Sequence, residues 1–285
     1  AGLALVLSPL GVEVNGAQAW LRFGGLQLQP AELAKVAVIV ALAALLHARR
    51  QQPGLLTVVM AVAVTAVPVL LILLQPDLGS AAVFVWILFL MLLGGGVRVP
   101  YLALLVLLGV AAVVGAVQLG VLEDHQVARI TAFLDPSNDQ FARTIRYNAD
   151  QSIIAVGSGQ FLGKGLFDGT QTSLAYVPEN HTDFIFTVVG EELGFVGGSV
   201  LLGLFLVLLW RCLRIAMLAR DRFGTLLAAG TVAMLVFQVF VNVGMAIGLM
   251  PIVGIPLPFV SYGGTSLIAN FVLVGLLLNV HMRRF

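Results

Sequence analysis

The chain has 285 residues, of which 60% are hydrophobic and only 10% are charged, and its mean hydropathy is +1.04. Soluble domains carry about 25% charged residues, so this composition excludes an ordinary soluble domain and indicates an integral membrane protein. The net charge of +1 argues against a nucleic-acid partner, and one cysteine with four scattered histidines excludes an internal disulfide framework and a cysteine–histidine zinc site.

The first part of the chain predicts a partial span, a polar linker and then a helix. Residues 1–7 are apolar and resemble the outer end of a span, with no initiator Met or basic signal-peptide region before them. We therefore expect that N-terminal spans are missing from this chain. After a polar linker at 11–29, Pro30 and Glu32 are well placed to start a helix, because proline fits the first turn and an acidic residue complements the helix dipole.

Seven apolar runs predict membrane-spanning helices, which need about 20 residues to cross a bilayer. They lie at 30–50, 55–74, 81–93, 101–119, 193–210, 225–250 and 263–280. Lysine and arginine residues fall on alternate connections, which we place in the cytoplasm. The predicted fold class is therefore an all-α polytopic membrane protein, a single transmembrane domain over 1–285 with about seven full spans, a fragment of another and a large extracytoplasmic loop at 120–190.

Polar motifs gather on the predicted outer side of the membrane. They comprise Glu32 with Lys35, the stretch 75–77, the end of the long loop around Asp183, and the stretch 256–266. Ionisable groups at the edge of a span are costly unless they have a partner or a task. We therefore predict a cavity that opens towards the outer leaflet.

Asp183 is the main candidate for a chemical role, although a simpler interpretation exists. It follows His181 and Thr182 and precedes an apolar helix. Thr182 or Asp183 would commonly cap such a helix. Partial desolvation at the start of the helix would instead make the carboxylate a better proton acceptor, as a general base needs. Both interpretations stay open at this point.

Three other features also have a structural and a functional interpretation. Glu32 and Lys35 are spaced i and i+3, so they can form a stabilising ion pair or present Lys35 to a phosphorylated ligand. The acidic residues 191–192 can pair with an arginine or serve the site. The glycines at 157–165 do not have the spacing of a P-loop, and we interpret them as flexible turns that bring Lys164 near the membrane.

Four motifs, in order along the chain, resemble the SEDS family of RodA, FtsW and SpoVE peptidoglycan glycosyltransferases. They read LQPAELAK, QPDLGSA, GSGQFLGKGLFDGTQTSLAYVPENHTDFIFTVVGEELGFVG and GLMPIVGIPLPFVSYGGTSLIANFVLVGLLLNV. The resemblance covers essentially the whole chain. It implies a SEDS-type helical bundle of ten spans with both ends cytoplasmic, of which the first two and most of the third are absent here. The large loop then lies between the seventh and eighth spans.

The resemblance implies that the chain polymerises lipid II, the undecaprenyl-pyrophosphate-linked disaccharide-pentapeptide, into glycan strands. The essential aspartate of the family aligns with Asp183. Its implied role is general base for the 4-hydroxyl of the acceptor GlcNAc, which attacks the anomeric carbon of the donor while undecaprenyl pyrophosphate leaves. The residues that we predict to bind substrate are Glu32, Lys35, Arg143, Lys164, His181, Thr182 and Ser261.

The negative charge of the leaving group needs cations. Lys35, Arg143 and Lys164 are the predicted partners of the pyrophosphate, and Glu32 would hold Lys35. A divalent metal cation, Mg²⁺ or Mn²⁺, would assist them. The resemblance implies no organic cofactor, and the sequence identifies no metal ligands.

The resemblance also implies partners and a location. The expected protein partner is a class B penicillin-binding protein, which supplies the transpeptidase, and the protein would lie among the lipids of the bacterial inner (plasma) membrane with its active site on the extracytoplasmic side. The stretch 250–254, MPIVG, favours the RodA-like elongation subgroup with a role in cell shape, because division-type members usually read LPTKG there. The chain departs from the family at 146–148, where Arg-Tyr-Asn replaces the frequent Gly-Tyr-Gln.

Two other classes of function fit a multispan protein with an outward cavity. One is a flippase or transporter of the lipid-linked cell-wall precursor, and the other is a scaffold that recruits a partner enzyme. A flippase needs polar groups along a path through both leaflets, whereas the polar motifs here gather on one side. This favours a transferase, and replacement of Asp183 by asparagine separates the classes.

Overall fold

The computed structural model describes residues 2–14, 17–23, 26–50, 53–120, 140–173, 176, 179 and 181–284. Within these residues the helices are α1 (Gly2–Val6), α2 (Pro30–Ala48), α3 (Leu55–Leu73), α4 (Leu78–Gly94), α5 (Val99–Gln118), α6 (Gln140–Ser158), α7 (Thr170–Ser173), α8 (Ile185–Leu218), α9 (Arg222–Ala246) and α10 (Gly264–Met282). The strands are β1 (Gly11–Val14), β2 (Ala17–Phe23) and β3 (Leu26–Leu28).

The apolar helices account for the membrane-spanning part of the fold. In the described part of the chain, six helices are long and apolar enough to cross a membrane, namely α2, α3, α5, α8, α9 and α10. Helix α4 is also apolar but has only 17 residues. These seven helices coincide with the seven predicted spans, and α1 stands where the fragment of another span is predicted. The polytopic helical fold is therefore confirmed.

Helix α5 shows how little protein contact such a span needs. Its one buried residue is Leu102, whereas Leu107 and Val110 are both more than half exposed. A helix satisfies its own backbone hydrogen bonds, which lipid cannot do for it. An apolar surface of this kind suits contact with lipid.

A three-stranded antiparallel sheet stands where the sequence predicts a polar linker. Strand β2 lies in the middle and pairs with β1 on one side and β3 on the other. Ala19 and Leu21 of β2 are buried, whereas Arg22 is exposed. This alternation is typical of a strand with one face against protein. The sheet at 11–28 is a departure from the predicted all-α class.

The described residues divide into two compact units, and the prediction of a single transmembrane domain over 1–285 stays a prediction. The first unit comprises 1–121, 209–237 and 264–285. Its central element is α2, which packs against α1, α3, α4, α10 and β2. Ile39, Leu42 and Ala43 on this helix are completely buried, so α2 forms the core around which the other spans of this unit are arranged.

The start of α2 is joined to the start of α10 within the same unit. The hydroxyl of Thr265 accepts a hydrogen bond from the backbone N–H of Gln29 (3.1 Å) and donates one to the carbonyl of Gln27 (3.2 Å). A helix leaves its first four N–H groups without partners in the helix, and the residues before it have no helical partner at all. Thr265 therefore satisfies groups at the junction between β3 and α2.

The second unit comprises 122–208 and 238–263. Its apolar core is formed by Phe205 of α8, Val239 of α9 and Leu257 of the loop that follows α9. Helix α6 is joined to the end of α9 by a hydrogen bond from the Ser152 hydroxyl to the carbonyl of Ala246 (2.8 Å). The loop after α9 is thus part of the core of this unit.

Candidate functional site

The turn that carries Asp183 is fastened to the last part of the second unit by its backbone. Three consecutive carbonyl groups, at 181–183, each accept a hydrogen bond from a donor between residues 242 and 262. The donors are the backbone N–H of Tyr262 for His181 (2.9 Å), the hydroxyl of Ser261 for Thr182, and the Nδ2 amide of Asn242 for Asp183 (2.7 Å). The turn is therefore held from three successive positions just before α8 begins.

The carboxylate of Asp183 lies against the backbone of Gly254. Asp183 is half-buried, and a Cβ atom built on Gly254 would lie only 3.2 Å from Asp183 Oδ2. Gly254 has a φ of +71°, in the left-handed region that favours glycine. A side chain at this position would be strained and would press on the carboxylate, so glycine is required here for two reasons.

The other predicted residues of this turn have local contacts. The Thr182 hydroxyl donates to the side chain of Glu179 (2.8 Å to Oε2), and the Glu179 carbonyl accepts from the backbone N–H groups of Thr182 (3.1 Å) and Phe184 (3.2 Å). His181 is exposed, and its ring meets the ring of Tyr262 edge to face at 6.2 Å. Substrate binding by His181 and Thr182 stays a prediction.

Ser261 has a clear structural task. Its hydroxyl accepts a hydrogen bond from the N–H of Leu257 (2.7 Å) while it donates to the carbonyl of Thr182. The side chain thus closes the turn 257–261 and joins it to the turn that carries Asp183. The prediction that Ser261 binds substrate remains, but its hydroxyl already serves the protein.

Helix α8 is interrupted at Gly194, which has a φ of +64° and a ψ of −162°. A break in a membrane helix leaves backbone groups that must find other partners. Here the segment 160–165 supplies them through four hydrogen bonds. These run from Lys164 N to Glu191 O (3.0 Å), from Gly165 N to Glu192 O (3.0 Å), from Phe195 N to Gln160 O (2.9 Å) and from Val196 N to Phe161 O (3.1 Å).

This arrangement corrects the interpretation of the glycines at 157–165 as flexible turns. The segment is bonded along its length to both sides of the helix break. A Cβ atom on Gly194 would lie 2.3 Å from the backbone N of Gly163, closer than real Cβ contacts occur. The glycines allow two backbones to approach each other, which is the close packing that small residues permit in membrane proteins.

Glu191 is completely buried beside this break, and both of its carboxylate oxygens have partners. Oε1 accepts from Lys164 Nζ (2.7 Å), Thr170 Oγ1 (3.3 Å) and Gln171 N (2.9 Å), and Oε2 accepts from Thr172 N (2.9 Å) and Thr172 Oγ1 (2.6 Å). The predicted structural pair is thus present, with a lysine in place of the predicted arginine. Lys164 is engaged by Glu191, and its predicted contact with pyrophosphate stays a prediction.

Glu32 and Lys35 form the predicted ion pair on α2. Lys35 Nζ lies 2.7 Å from Glu32 Oε1, and the two side chains are only 1% and 2% exposed. Glu32 Oε2 is buried and has no hydrogen-bond partner among the residues that the structure describes. A buried acceptor without a partner calls for an explanation such as a bound water, ion or ligand.

Asp77 lies close enough to this pair to interact with both charges. It caps α4, because its carboxylate accepts hydrogen bonds from Ser80 N (2.9 Å) and Ser80 Oγ (2.7 Å). Burial raises the pKa of the Asp77 carboxyl, although the bonds from Ser80 and the charge of Lys35 act in the opposite direction. The first unit therefore places three ionisable groups near the starts of α2 and α4, of which Glu32 and Lys35 are buried and Asp77 is half-buried.

The structure brings together only part of the predicted site. His181, Thr182, Asp183 and Ser261 meet within the second unit, and Lys164 belongs to the same unit through Glu191. Glu32 and Lys35 belong to the first unit. Arg143 lies in α6, and its side chain is outside the described residues. Asn242 and Gly254 were not predicted, and no periodicity or motif in the sequence points to their contacts with Asp183.

The described residues contain no cluster of metal-binding side chains. Across the described residues, no group of three or more histidine, cysteine, aspartate or glutamate side chains could hold an ion. Mg²⁺ usually takes one or two carboxylates together with phosphate oxygens and water, so such a cluster is not a requirement. The predicted divalent cation stays a prediction.

Comparison with known proteins agrees with the motifs. A family model described as "Cell cycle protein", for FtsW, RodA and SpoVE, matches residues 1–284. The chain is 40% identical over 281 residues to Stage V sporulation protein E of Bacillus subtilis (strain 168), with 98% of this chain and 75% of that protein covered. It is 38% identical over 282 residues to peptidoglycan glycosyltransferase MrdB of Escherichia coli (strain K12), with 99% and 75% covered.

Two solved structures resemble the fold over 100% of this chain. A chain from work on "Structural coordination of polymerization and crosslinking by a peptidoglycan synthase complex" has a TM-score of 0.75 and 35% identity, with 79% of that chain covered. The crystal structure of the rod shape determining protein RodA of Thermus thermophilus has a TM-score of 0.67 and 35% identity, with 76% covered. The chain therefore belongs to the FtsW, RodA and SpoVE family, the SEDS family that its four motifs resemble.

Proposed function

We propose that this multi-pass membrane protein is a peptidoglycan glycosyltransferase that polymerises lipid II into glycan strands. Relatives that match almost the whole chain are named "Peptidoglycan glycosyltransferase MrdB" and "Probable peptidoglycan glycosyltransferase FtsW". The proposal assigns the chemistry to Asp183 because the turn at 181–183 is held firmly by hydrogen bonds. Its three carbonyl groups are all bonded to the segment 242–262, which gives Asp183 a defined place at the start of α8.

Asp183 would act as the general base. Its carboxylate would take the proton from the 4-hydroxyl of the acceptor GlcNAc as that oxygen forms a bond to the anomeric carbon of the donor. The bond from this carbon to the pyrophosphate oxygen breaks, and undecaprenyl pyrophosphate leaves with the bonding electrons. A half-buried carboxylate is less well solvated than one in water, which favours proton uptake in the transition state.

Lys35 is our first candidate for the cation that stabilises the leaving pyrophosphate. It is a buried cation paired with Glu32, and an ammonium group with three donors can bind a phosphate oxygen in addition to a carboxylate. Arg143 is the second candidate. Lys164 is the weakest candidate, because Glu191 and the Thr170 hydroxyl already occupy its ammonium group. A divalent cation would neutralise the same charge.

The setting of the reaction is part of the proposal. We place the protein in the plasma membrane, with Asp183 on the extracytoplasmic side, and we propose a RodA-like role in elongation and cell shape. The class of partner is a class B penicillin-binding protein that supplies the transpeptidase. A related chain comes from a peptidoglycan synthase complex in which polymerization and crosslinking are coordinated, which supports a partner of this kind.

The test is polymerisation of lipid II by the full-length protein together with its partner. We expect Asp183→Asn to abolish polymer formation while the protein still folds and binds its partner. Asp168→Asn is the matched control, because Asp168 is an exposed aspartate of the same unit and undergoes the same chemical change. It should polymerise like the wild type.

Two results would contradict the proposal. Undiminished polymer from Asp183→Asn would leave Asp183 as a helix cap or a structural group. A wild-type protein that makes no polymer but moves lipid II across vesicle membranes would instead support the flippase.

A further inference from the structure

Asn242 lies in the last turns of α9, and its side chain is completely buried. Its Nδ2 nitrogen carries two hydrogens, and both have an acceptor. One bond goes to the carbonyl of Asp183 (2.7 Å) and the other to the carbonyl of Ile255 (2.8 Å). A single side-chain nitrogen therefore joins three segments of the second unit, namely α9, the turn before α8 and the loop after α9.

We propose that Asn242 is the positioning residue for Asp183 in the glycosyl transfer. This inference rests on the proposed function, since it assigns Asn242 a task only if Asp183 acts on the substrate. Asn242 does not touch the carboxylate in this scheme. It acts through the backbone of Asp183 and through the loop that faces the carboxylate.

The bond from Asn242 to the Ile255 carbonyl connects Asn242 to the loop that faces the Asp183 carboxylate. Ile255 directly follows Gly254, and the backbone of Gly254 forms the wall against which Asp183 Oδ2 lies. Asn242 thus holds the backbone of Asp183 through one bond. Through the other bond it holds Ile255, the residue next to Gly254, which faces the Asp183 carboxylate. If these bonds are lost, both sides can shift relative to each other. A displacement of about 1 Å in a reacting group can reduce a rate by about 100-fold.

Ser261 and Tyr262 hold the preceding carbonyls of the same turn. Their bonds hold the carbonyls of His181 and Thr182, which precede Asp183 by two residues and one residue. Asn242 holds residue 183 itself. Among the three donors, its removal should therefore have the greatest effect on the position of the carboxylate.

Gln238 provides an internal comparison. It lies one turn before Asn242 on α9, is also completely buried and also carries an amide. Neither its nitrogen nor its oxygen has a hydrogen-bond partner among the described residues. The two side chains thus have the same chemistry, helix and burial, and they differ in the contacts that reach Asp183 and Ile255.

The experiment compares Asn242→Leu with Gln238→Leu in the full-length protein bound to its transpeptidase partner, with lipid II as substrate. We expect Asn242→Leu to lower kcat by at least about 10-fold while KM for lipid II changes by less than about twofold, because binding is kept and orientation is lost. Gln238→Leu should stay within about twofold of the wild type in both constants, since it removes a buried amide that has no partner.

A second variant covers the case in which Asn242→Leu does not fold. Asn242→Ala removes the two amide donors without placing a charge or a larger side chain in the core, so it should show the same selective loss of kcat. Thermal unfolding and partner binding are measured for every variant. If Asn242 had only a structural role, total activity would fall in proportion to the folded fraction, and kcat per folded molecule would not change.

The outcomes separate this inference from the proposed function. If Asp183→Asn abolishes polymer but folded Asn242→Leu or Asn242→Ala keeps wild-type kcat, the positioning role is wrong and the transferase stands. If kcat falls as much in Gln238→Leu as in Asn242→Leu, the loss comes from a general disturbance of α9, and the inference is also overturned. If Asp183→Asn polymerises normally, the general base itself is wrong, and Asn242 has no catalytic group to position.

Discussion

Two lysine–glutamate pairs among the described residues have the same length and different surroundings. In each, the lysine Nζ lies 2.7 Å from a carboxylate oxygen. Glu191, in the second unit, accepts five hydrogen bonds on its two oxygens. Glu32, in the first unit, accepts one from Lys35, and its other oxygen is buried with no hydrogen-bond partner in the described parts of the chain.

The difference in hydrogen bonding between Glu191 and Glu32 indicates different roles for the two ion pairs. A buried charge is tolerated when hydrogen bonds satisfy all of its lone pairs, and such a network stabilises one conformation. The carboxylate of Glu191 meets this condition and holds Lys164 and the start of α7 beside the helix break. The carboxylate of Glu32 does not meet it. We therefore interpret the pair around Glu191 as structural, and we propose that the pair of Glu32 with Lys35 serves substrate binding.

The largest effect should come from closing the helix break that presents Glu191. Gly194→Val places a branched side chain at a φ of +64° and against the backbone of Gly163. We expect a loss of stability of more than about 3 kcal/mol, measured as a fall in the thermal unfolding temperature in detergent. Gly203→Ala is the control on the same helix, because a Cβ atom there meets nothing within 4 Å. Normal stability of Gly194→Val would show that the break is not required.

Removing the charge of Glu191 should have the next largest effect. Glu191→Gln leaves Lys164 without its counter-charge and turns an amide N–H group towards donors that need an acceptor. We expect a loss of about 3 kcal/mol in the free energy of unfolding. Glu192→Gln changes the neighbouring, half-buried residue in the same way and should cost less than about 1 kcal/mol. Equal losses in the two variants would contradict a special role for the network.

Ser261→Ala should have the smallest effect on stability of these changes. It removes the bond to the Thr182 carbonyl and the acceptor for Leu257 N, at a cost of about 1–2 kcal/mol. Because Tyr262 and Asn242 still hold the turn, we expect lipid II polymerisation to fall by only a few-fold. A complete loss of polymer from a folded Ser261→Ala protein would instead support the original prediction that its hydroxyl binds substrate.

The spans could be predicted from the sequence because lipid imposes a simple condition. A segment that crosses it must satisfy its backbone internally and expose apolar side chains, so a long apolar run is sufficient evidence. The small sheet could also have been predicted. Apart from Trp20, residues 17–23 alternate in polarity, and Asn15-Gly16 between this stretch and 11–14 is a strong hairpin indication. The predicted plain linker is therefore wrong, because a period of two is typical of strands.

The contacts of the site could be predicted only in part. Glu32 and Lys35 are three residues apart on one helix, so their pairing follows from helical geometry. Lys164 and Glu191 are 27 residues apart, and their contact depends on a helix break that no sequence period announces. Asn242 and Asp183 are 59 residues apart and meet only because the turn before α8 packs against α9. Such contacts depend on tertiary structure.

The measurement that tests this account most directly replaces each ion pair by methionines. Thermal unfolding and lipid II polymerisation are compared for Glu32→Met with Lys35→Met and for Glu191→Met with Lys164→Met. A buried ion pair replaced by apolar residues of similar volume often costs no stability. We predict that the first double variant keeps its unfolding temperature but loses polymerisation by about 100-fold, because the proposed function assigns Lys35 to the leaving pyrophosphate.

The second double variant should behave in the opposite way. The N–H groups of Gln171 and Thr172 would lose their acceptor, so we predict a clear fall in the unfolding temperature, with polymerisation reduced only as far as the folded fraction falls. Wild-type polymerisation by the variant without Glu32 and Lys35 would contradict the account, because that pair would then be no more than a structural one.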